Sequence, residues 1–428
     1  MTDFSTEVFQ NPYLAGGATE VNAVVTVCAS GTTAPTSARG SAAEIIIIDI
    51  SGSMGADRKL QSAQLATYAA IDCIRDGVSF GIVAGGDRAY QAYPVVSVQS
   101  GKRLTVSSAQ TRAEAKSAVA ALHASGGTKI GAWLEAARTA FLTVPGAICH
   151  AILLTDGRNG ERGRILDAAI ERCEGVFQCE CRGVGTDWVV DELRKISTRL
   201  LGTVDIVAEP SDLSRDFEEM MTSAMGRRSS NVDLRVWTPH LASVSFVKQV
   251  APEIVDLTDR RSPVDDRSGN YPTGAWGTEC RDYHVCISVP AAAVGDEMLA
   301  ARVSLVVDGT PQRDAKIRAI WTDDKELSTR INREVAHYTG QAELADAIQD
   351  GLDARRRGDD HTATSKLGRA VQLAAAARND NMLGLLAGVV DITDSTTGTV
   401  RLKRDVSTLD EMTLDTRSVK TARVPKAN

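Results

Sequence analysis

EIIIIDISGS, residues 44–53, is the most informative segment of the sequence for the fold. It runs from Glu44 through four isoleucines to Asp49 and ends at Ser53. Its four consecutive isoleucines predict a strand buried on both faces, because a half-exposed strand would alternate apolar and polar side chains. Strands of this kind lie at the centre of parallel sheets that helices cover on both sides. The run ends at Asp49, and the small polar residues that follow predict a turn.

Strand and helix patterns alternate on the C-terminal side of this stretch. Further strands are predicted at 79–86, 92–98, 149–157, 177–185 and 202–209. Helices are predicted from about Asp57, at 111–124, 130–143 and 164–173, near 188–197 and at 211–224, the last with Ser211 or Asp212 as N-cap. This alternation predicts a doubly wound, mostly parallel, Rossmann-like α/β sheet over residues 41–227.

Residues 228–325 show a different sequence pattern. They contain several segments in which apolar and polar residues alternate, and no helical pattern lies between these segments. They predict an antiparallel β-sandwich. A strand at 21–29, inside the N-terminal segment 1–40, precedes the α/β domain and needs a pairing partner. We expect it to join the sandwich, which makes the α/β domain an insertion whose linkers are about 30–42 and 225–230.

The pattern of the C-terminal part predicts helices followed by a segment of strands and polar chain. Residues 326–380 predict a helical hairpin joined at Gly358-Asp359-Asp360, and 381–428 predict a β-hairpin turning at Gly398 and then a flexible polar tail. In this tail, acidic residues surround the threonines. One interpretation is a solvated tail. The other is phosphorylation, with capture of the phosphate by the arginines of a forkhead-associated domain; its candidate residues are Thr408, Thr413 and Thr416.

Three short pieces of the α/β region carry oxygen donors. Asp49, Ser51 and Ser53 follow the central strand, Thr128 follows two glycines in a loop, and Asp156 ends another apolar strand. Asp-x-Ser-Gly-Ser alone is typical of a generic turn. Together the pieces predict a site for Mg²⁺, since carboxylate and hydroxyl oxygens are its ligands and adjacent parallel strands end at the same sheet edge.

With these pieces the sequence resembles the von Willebrand factor type A family, in its bacterial intracellular form, with an intact metal-ion-dependent adhesion site. The resemblance implies that the Ser51, Ser53 and Thr128 hydroxyls contact Mg²⁺ (or Mn²⁺ or Ca²⁺) directly. It implies that Asp49 and Asp156 bind the ion directly or through water. One coordination position is then left for an Asp or Glu of a partner protein. The chain would act as a scaffold, as in bacterial signalling clusters.

Enzymatic activity is not expected. A haloacid-dehalogenase phosphatase needs a second Asp where Ser51 stands, none of the six histidines lies in a recognisable motif, and the sequence contains no GxxxxGK[ST] phosphate loop. An accessory subunit of an ATP-driven, chelatase-like complex is the alternative, with an ATPase as partner. A Mg²⁺-dependent phosphatase is less favoured.

Composition narrows the partners and the location. A net charge of −7 and an aromatic content of 4% argue against nucleic acid. No secretory signal is visible, and the longest apolar run is too short for a membrane span, so a cytoplasmic location is predicted. The eight cysteines are then expected to be reduced thiols, including Cys280 and Cys286. Cys173, Cys179 and Cys181 do not have zinc-site spacing.

Overall fold

The structure is a computed structural model that describes residues 3–30, 42–95, 103–227, 229, 232–421 and 423. The chain divides into two compact units. One consists of Ala34–Ser230, and the other of Met1–Thr33 together with Asn231–Asn428. The first unit is therefore inserted into the second, as the sequence predicted. Of the predicted linker 30–42, residues 31–41 lie outside the described part; in the predicted linker 225–230, residues 225 and 226 still belong to the last helix of the inserted unit, Leu213–Gly226, and 228 and 230 lie outside the described part.

Strands and helices alternate in the inserted unit, while the other unit begins with strands and ends with helices. The strands are β1 Asp3–Gln10, β2 Tyr13–Ala15, β3 Glu20–Ser30, β4 Ala42–Asp49, β5 Ser79–Gly85, β6 Tyr90–Tyr93, β7 Thr105–Val106, β8 Ile148–Thr155, β9 Gln178–Val184, β10 Val204–Val207, β11 Val232–Trp237, β12 Ser243–Ala251, β13 Val255–Asp256, β14 Ser262–Pro263, β15 Ser268–Pro272, β16 Cys280–Ser288, β17 Glu297–Val307, β18 Thr310–Pro311, β19 Ala315–Thr322, β20 Val390–Asp394 and β21 Thr399–Leu402.

The helices are α1 Lys59–Cys73, α2 Ala109–Ala120, α3 Ile130–Phe141, α4 Gly163–Cys173, α5 Val190–Arg199, α6 Leu213–Gly226, α7 Lys325–Ser328, α8 Arg333–Arg356, α9 Asp360–Ala376, α10 Asp380–Val389 and α11 Thr408–Arg417. Within the described ranges, none of them has both the length and the apolar character that crossing a bilayer requires.

The sheet of the inserted unit has the order β10-β9-β8-β4-β5-β6. Its pairings from β10 to β5 are parallel, whereas β6 and β7 pair with β5 in antiparallel fashion. The predicted mostly parallel α/β sheet is confirmed. The strand predicted at 92–98 is represented by β6, and residues 96–102 lie outside the described part. Because the chain continues from β4 to β5 on one side and adds β8 on the other, the order reverses between β4 and β8.

Burial explains the central position of β4, whose isoleucines Ile45 to Ile48 are all at most 1% exposed. Ile46 and Ile48 share a core with residues of α1 and α6, including Ala63 and Phe217. Helix α3 packs on β4 and β5. A Cβ at Gly85 would lie 2.4 Å from the ring of Trp133, so this position admits only glycine while α3 packs here.

The other unit contains two sheets that share one core, with the orders β1-β3-β16-β12-β13 and β14-β15-β11-β17-β19-β2. Strand β3 pairs with both β1 and β16, so the strand predicted at 21–29 joins the sandwich. Tyr283 and Val285 of one sheet face Leu234 and Leu305 of the other in that core. The strands β1 and β2 have no counterpart among the sequence predictions.

A disulfide joins Cys28 and Cys280, which corrects the prediction that all cysteines are reduced. The reason is the register of β3 and β16, which sets these two residues directly opposite each other despite 252 residues of sequence separation. Both side chains are half-buried. Disulfides persist mainly in oxidising compartments. A cytoplasmic location therefore stays a prediction without support from the cysteines.

The C-terminal part of this unit extends beyond the predicted helical hairpin. Helices α8 and α9 form that hairpin and are joined at Gly358, which has a positive φ of 75°. The β-hairpin β20-β21 turns at Gly398 as predicted. Helix α10, which packs against α9 and α11, was not predicted. The single hairpin is thus completed by α10 and α11, and all four helices contribute to one core.

The prediction of a flexible tail is wrong for the described residues up to 423. Helix α11 buries two apolar residues, Met412 and Leu414, together with the polar Asp415 and Thr416, so its burial does not follow an apolar helical pattern. Thr416 is fully buried, so its phosphorylation is excluded while this helix is folded. Thr413 is half-buried, and its hydroxyl donates to the carbonyl of Leu409 at 2.6 Å. Phosphorylation of Thr408, which is exposed, stays a prediction.

Candidate functional site

The predicted site residues lie at the carboxyl ends of β4 and β8, where the strand order reverses. Asp49 is the last residue of β4, and Asp156 directly follows β8. Between β4 and α1 the chain makes one turn of 3-10 helix, Gly52–Gly55. Ser51 and Ser53 stand at this turn, so two separate strand ends and one tight turn bring these residues together.

Hydrogen bonds link four of the five predicted residues. The Asp49 carboxylate accepts from the backbone N–H of Ser51 at 2.7 Å and from the hydroxyl of Thr155 at 2.5 Å. The hydroxyls of Ser51 and Ser53 are 3.1 Å apart, and Ser53 donates to Asp156 at 2.6 Å. The two carboxylates are fully buried, whereas Ser53 is exposed. The site is therefore open to solvent at Ser53, whereas Ser51 is buried.

The fifth residue, Thr128, precedes α3 in a loop that approaches the same point. A Cβ at Gly157 would lie 3.0 Å from the hydroxyl oxygen of Thr128 and 3.6 Å from that of Ser53. The loop is held by two backbone hydrogen bonds, Gly52 N to Gly126 O at 2.9 Å and Gly160 N to Thr128 O at 2.7 Å. Thr128 and Ser53 thus approach the same point beside Gly157, and hydrogen bonds connect Ser53 to Asp156 and to Ser51, and Ser51 to Asp49.

Burial dominates the electrostatics of Asp49. Removal from water raises the pKa of its carboxyl, and the negative charge of Asp156 acts in the same direction. Hydrogen bonds from Ser51 and Thr155 oppose this rise without cancelling it. A positive charge placed beside Asp49 would relieve the cost of keeping this carboxylate ionised.

Two functional neighbours were missed by the sequence prediction. The Thr155 hydroxyl holds one oxygen of Asp49, and the Lys59 ammonium donates to the second oxygen of Asp156 at 2.8 Å. Lys59 also lies 3.6 Å from the exposed carboxylate of Asp187. Burial alone would lower the Lys59 pKa, but the hydrogen bond and charge of Asp156 outweigh it and raise that pKa.

The donor set fits a hard divalent cation. It offers two carboxylates and three hydroxyls, and the missing side chain at Gly157 leaves space between Thr128 and Ser53. Within the described ranges, no group of three or more His, Cys, Asp or Glu is arranged to hold a metal. A cation here would therefore depend on the hydroxyls, a set that suits Mg²⁺ better than softer metals.

The arrangement does not resemble that of a nucleophilic enzyme. Among the described residues, the hydroxyls of Ser51 and Ser53 bond to each other and to Asp156, and no histidine is a partner. His150 lies near the opposite end of β8, where its Nδ1 is 2.7 Å from Glu44. Activation of a serine would need a base in hydrogen-bond contact.

Two stretches of the chain match known sequence families. Residues 43–206 match the von Willebrand factor type A domain, and residues 372–418 match the von Willebrand factor type A C-terminal domain. The first match covers the α/β sheet and the candidate site. The second covers the end of α9, then α10, the β-hairpin and α11, the part for which the sequence prediction was least accurate.

Solved and curated proteins show the same relationship. A von Willebrand factor type A structure from Catenulispora acidiphila is 46% identical, with a TM-score of 0.93, and the match covers 99% of this chain and 98% of that one. The ArnB paralog VWA2 from Sulfolobus acidocaldarius shares the fold at 16% identity, with a TM-score of 0.56 and 98% of both chains covered.

The uncharacterized protein sll0103 from Synechocystis is 27% identical over 219 residues, which are 50% of this chain and about half (49%) of that relative's length. Identity at the level of the Catenulispora acidiphila structure, over nearly the whole of both chains, establishes common ancestry. The chain therefore belongs to the von Willebrand factor type A family, whose domains typically mediate protein–protein interactions.

Proposed function

We propose that this chain binds a protein partner through a divalent cation held at an intact metal-ion-dependent adhesion site. The observation that supports the proposal is the convergence of the donors on the space beside Gly157. The residues that would hold Mg²⁺, or Mn²⁺ or Ca²⁺, are Asp49, Ser51, Ser53, Thr128 and Asp156. The partner would supply an Asp or Glu side chain.

The charges around the site favour an incoming carboxylate. Lys59 pairs with Asp156 and offsets its charge, and the hydroxyls of the other donors are neutral. A bound dication would then keep much of its positive charge, which attracts a carboxylate from outside. The exposed Ser53 and Gly52 leave the site accessible to such a group.

A capture experiment tests the proposal. The tagged full chain is used to capture proteins from a native lysate in two buffers. One contains roughly 5–10-fold more Mg²⁺ than EDTA, so that free Mg²⁺ fills the site, and the other contains roughly 5–10-fold more EDTA than Mg²⁺, so that the site is stripped. We expect a partner that is retained in Mg²⁺, eluted by EDTA and not retained by an Asp49→Ala variant. Partners that remain in EDTA and on the variant would contradict the proposal.

The same experiment addresses the alternative functions. An ATPase among the EDTA-sensitive partners would identify the chain as an accessory subunit of an ATP-driven complex. We further propose that the chain is not an enzyme, which the absence of a histidine bonded to Ser51 or Ser53 in the described residues supports. Hydrolysis of phosphate esters by the wild type, abolished in Asp49→Ala, would contradict this.

Replacement of Lys59 by methionine should tighten Mg²⁺ binding about tenfold, because it removes a positive charge from the carboxylate of Asp156. It should also weaken binding of the partner, since the cation would share its charge with one more uncompensated carboxylate. Isothermal titration with Mg²⁺ measures the first effect. Lys59→Arg, which keeps the charge, is the control, and equal Mg²⁺ affinities of the two variants would refute the role assigned to Lys59.

A further inference from the structure

The loop after Asp156 directs its polar side chains alternately inward and outward. Asn159 and Glu161 are half-buried, whereas Arg158 and Arg162 are exposed. The inward pair fixes the loop, because the Asn159 side chain accepts from Ile130 N at 3.2 Å and the Glu161 carboxylate accepts from Gly131 N at 2.8 Å. The loop is therefore held in place without any contribution from its arginine side chains.

The side chains of the outward arginines do not hold the loop. Arg162 caps α4 through its backbone carbonyl, which accepts from Ile165 N at 2.8 Å, but among the described residues neither the Arg158 nor the Arg162 guanidinium makes a hydrogen bond or an ion pair, and both are exposed. Arg172 and Arg199 of the same unit pair with Glu135 and Glu174. The exposed side chains of Arg88 and Arg164 are also unpaired among the described residues, so what distinguishes Arg158 and Arg162 is their position within six residues of Asp156.

Their location suggests what they contact. Arg158 is two residues after Asp156, and Gly160, between the two arginines, donates its N–H to the carbonyl of Thr128 at 2.7 Å. The loop is thus bound directly to one of the candidate ligands. The same rim also carries Arg58, which is exposed and precedes Lys59. Exposed carboxylates also lie near the site, since Asp187 is 3.6 Å from Lys59 and Asp87 approaches Gly126, so the arginines add positive charge to a rim of mixed charge.

We propose that Arg158 and Arg162 bind a second carboxylate of the partner, so that the partner segment is an acidic peptide with at least two acidic side chains. One carboxylate would reach the cation, and the other would lie against the arginines. A guanidinium offers paired N–H donors that match a carboxylate, and a pre-held loop loses little freedom on binding. This inference rests on the proposed function and specifies the partner of the same site.

The test uses synthetic peptides as probes of the full chain. Fluorescein-labelled decapeptides of Gly and Ser carry either one Asp or one Asp and one Glu, with the Glu at each of the five following positions. Fluorescence anisotropy is measured in Mg²⁺ and in EDTA. The variants are Arg158→Gln/Arg162→Gln and, as a control for loss of positive charge away from the loop, Arg172→Gln, which removes one charge at the other end of α4.

We expect at least one two-acid peptide to bind about fivefold or more tightly than the one-acid peptide in Mg²⁺, the scale of a well-formed exposed ion pair. This preference should disappear in the double variant and persist in Arg172→Gln. The Mg²⁺ affinity of the double variant, measured by calorimetry, should stay at the wild-type value, which verifies that the site is intact.

Two other results overturn the inference in distinguishable ways. Mg²⁺-dependent binding with no preference for two acids, or a preference that survives in the double variant, would refute the role of the arginines and leave the proposed function standing. A lack of Mg²⁺-dependent binding of every peptide would refute the proposed function, and the inference with it.

Discussion

Replacement of Asp49 by alanine should reduce the affinity for Mg²⁺ and Mn²⁺ by at least about a hundredfold. This is more than the loss expected when a residue that only orients a metal ligand is removed. Asp49 is fully buried at the end of β4, and its carboxylate is oriented by Ser51 N and the Thr155 hydroxyl. It supplies one of only two carboxylates at the site. A site otherwise built from hydroxyls loses most of its attraction for a dication when one carboxylate is removed.

The variant should remain folded. Loss of the carboxylate removes the stronger acceptor of the buried Thr155 hydroxyl, which keeps longer hydrogen bonds to the backbone of Gly157, so the cost is at the lower end of about 1–3 kcal/mol. It also removes a carboxylate whose pKa is raised by burial, which offsets part of that cost. Calorimetric titration measures the affinity, and circular dichroism checks the fold. Asp72→Ala, which removes an exposed carboxylate near the end of α1, is the charge-matched control. Unchanged affinity in Asp49→Ala would refute the assigned metal ligand.

Replacement of Asp282 by alanine should destabilise the sandwich unit by about 3 kcal/mol and release the end of the chain. This carboxylate is buried and accepts from the Thr26 hydroxyl at 2.6 Å, from the Tyr338 hydroxyl, and from Arg423 at 2.8 and 2.9 Å. It joins β3, β16, α8 and the residues after α11. Without it, two hydroxyls and a guanidinium lose their acceptor.

Urea unfolding followed by circular dichroism measures the stability, and limited trypsin digestion measures release of the chain end. Cleavage after Lys420, a site that both variants retain, should accelerate in Asp282→Ala. Arg423→Ala separates the two effects, because it should free the chain end while costing only about 1 kcal/mol, given that its side chain is partly exposed. Equal stability of Asp282→Ala and the wild type would show that this carboxylate does not anchor the tail.

The proximity of the candidate site residues could be predicted from the sequence because its three pieces carry local signals. The uninterrupted isoleucines identify β4 as central, and Asp49 follows them directly. Thr155-Asp156 ends a second apolar strand, and parallel strands bring such ends to one sheet edge. Thr128 follows Gly126, whose positive φ of 79° requires a glycine-like conformation in that loop.

What the sequence did not predict depends on contacts between distant segments. Lys59 is the first residue of α1, and only the fold shows that it reaches Asp156. Cys28 and Cys280 are paired by the register of two strands that are separated by the inserted unit. In α11, the buried Met412 and Leu414 stand among polar residues, two of which are buried as well, so composition favoured a flexible tail where packing forms a helix.

We propose that the ends of β4 and β8 hold a divalent cation beside Gly157. The most direct test is a crystal of the full chain grown with Mn²⁺, with diffraction data recorded above and below the manganese absorption edge. We expect an anomalous difference peak within coordination distance of the hydroxyls of Ser51, Ser53 and Thr128. The absence of a peak at this position in Mn²⁺-saturated crystals, with the Lys59 ammonium still bonded to Asp156, would contradict it.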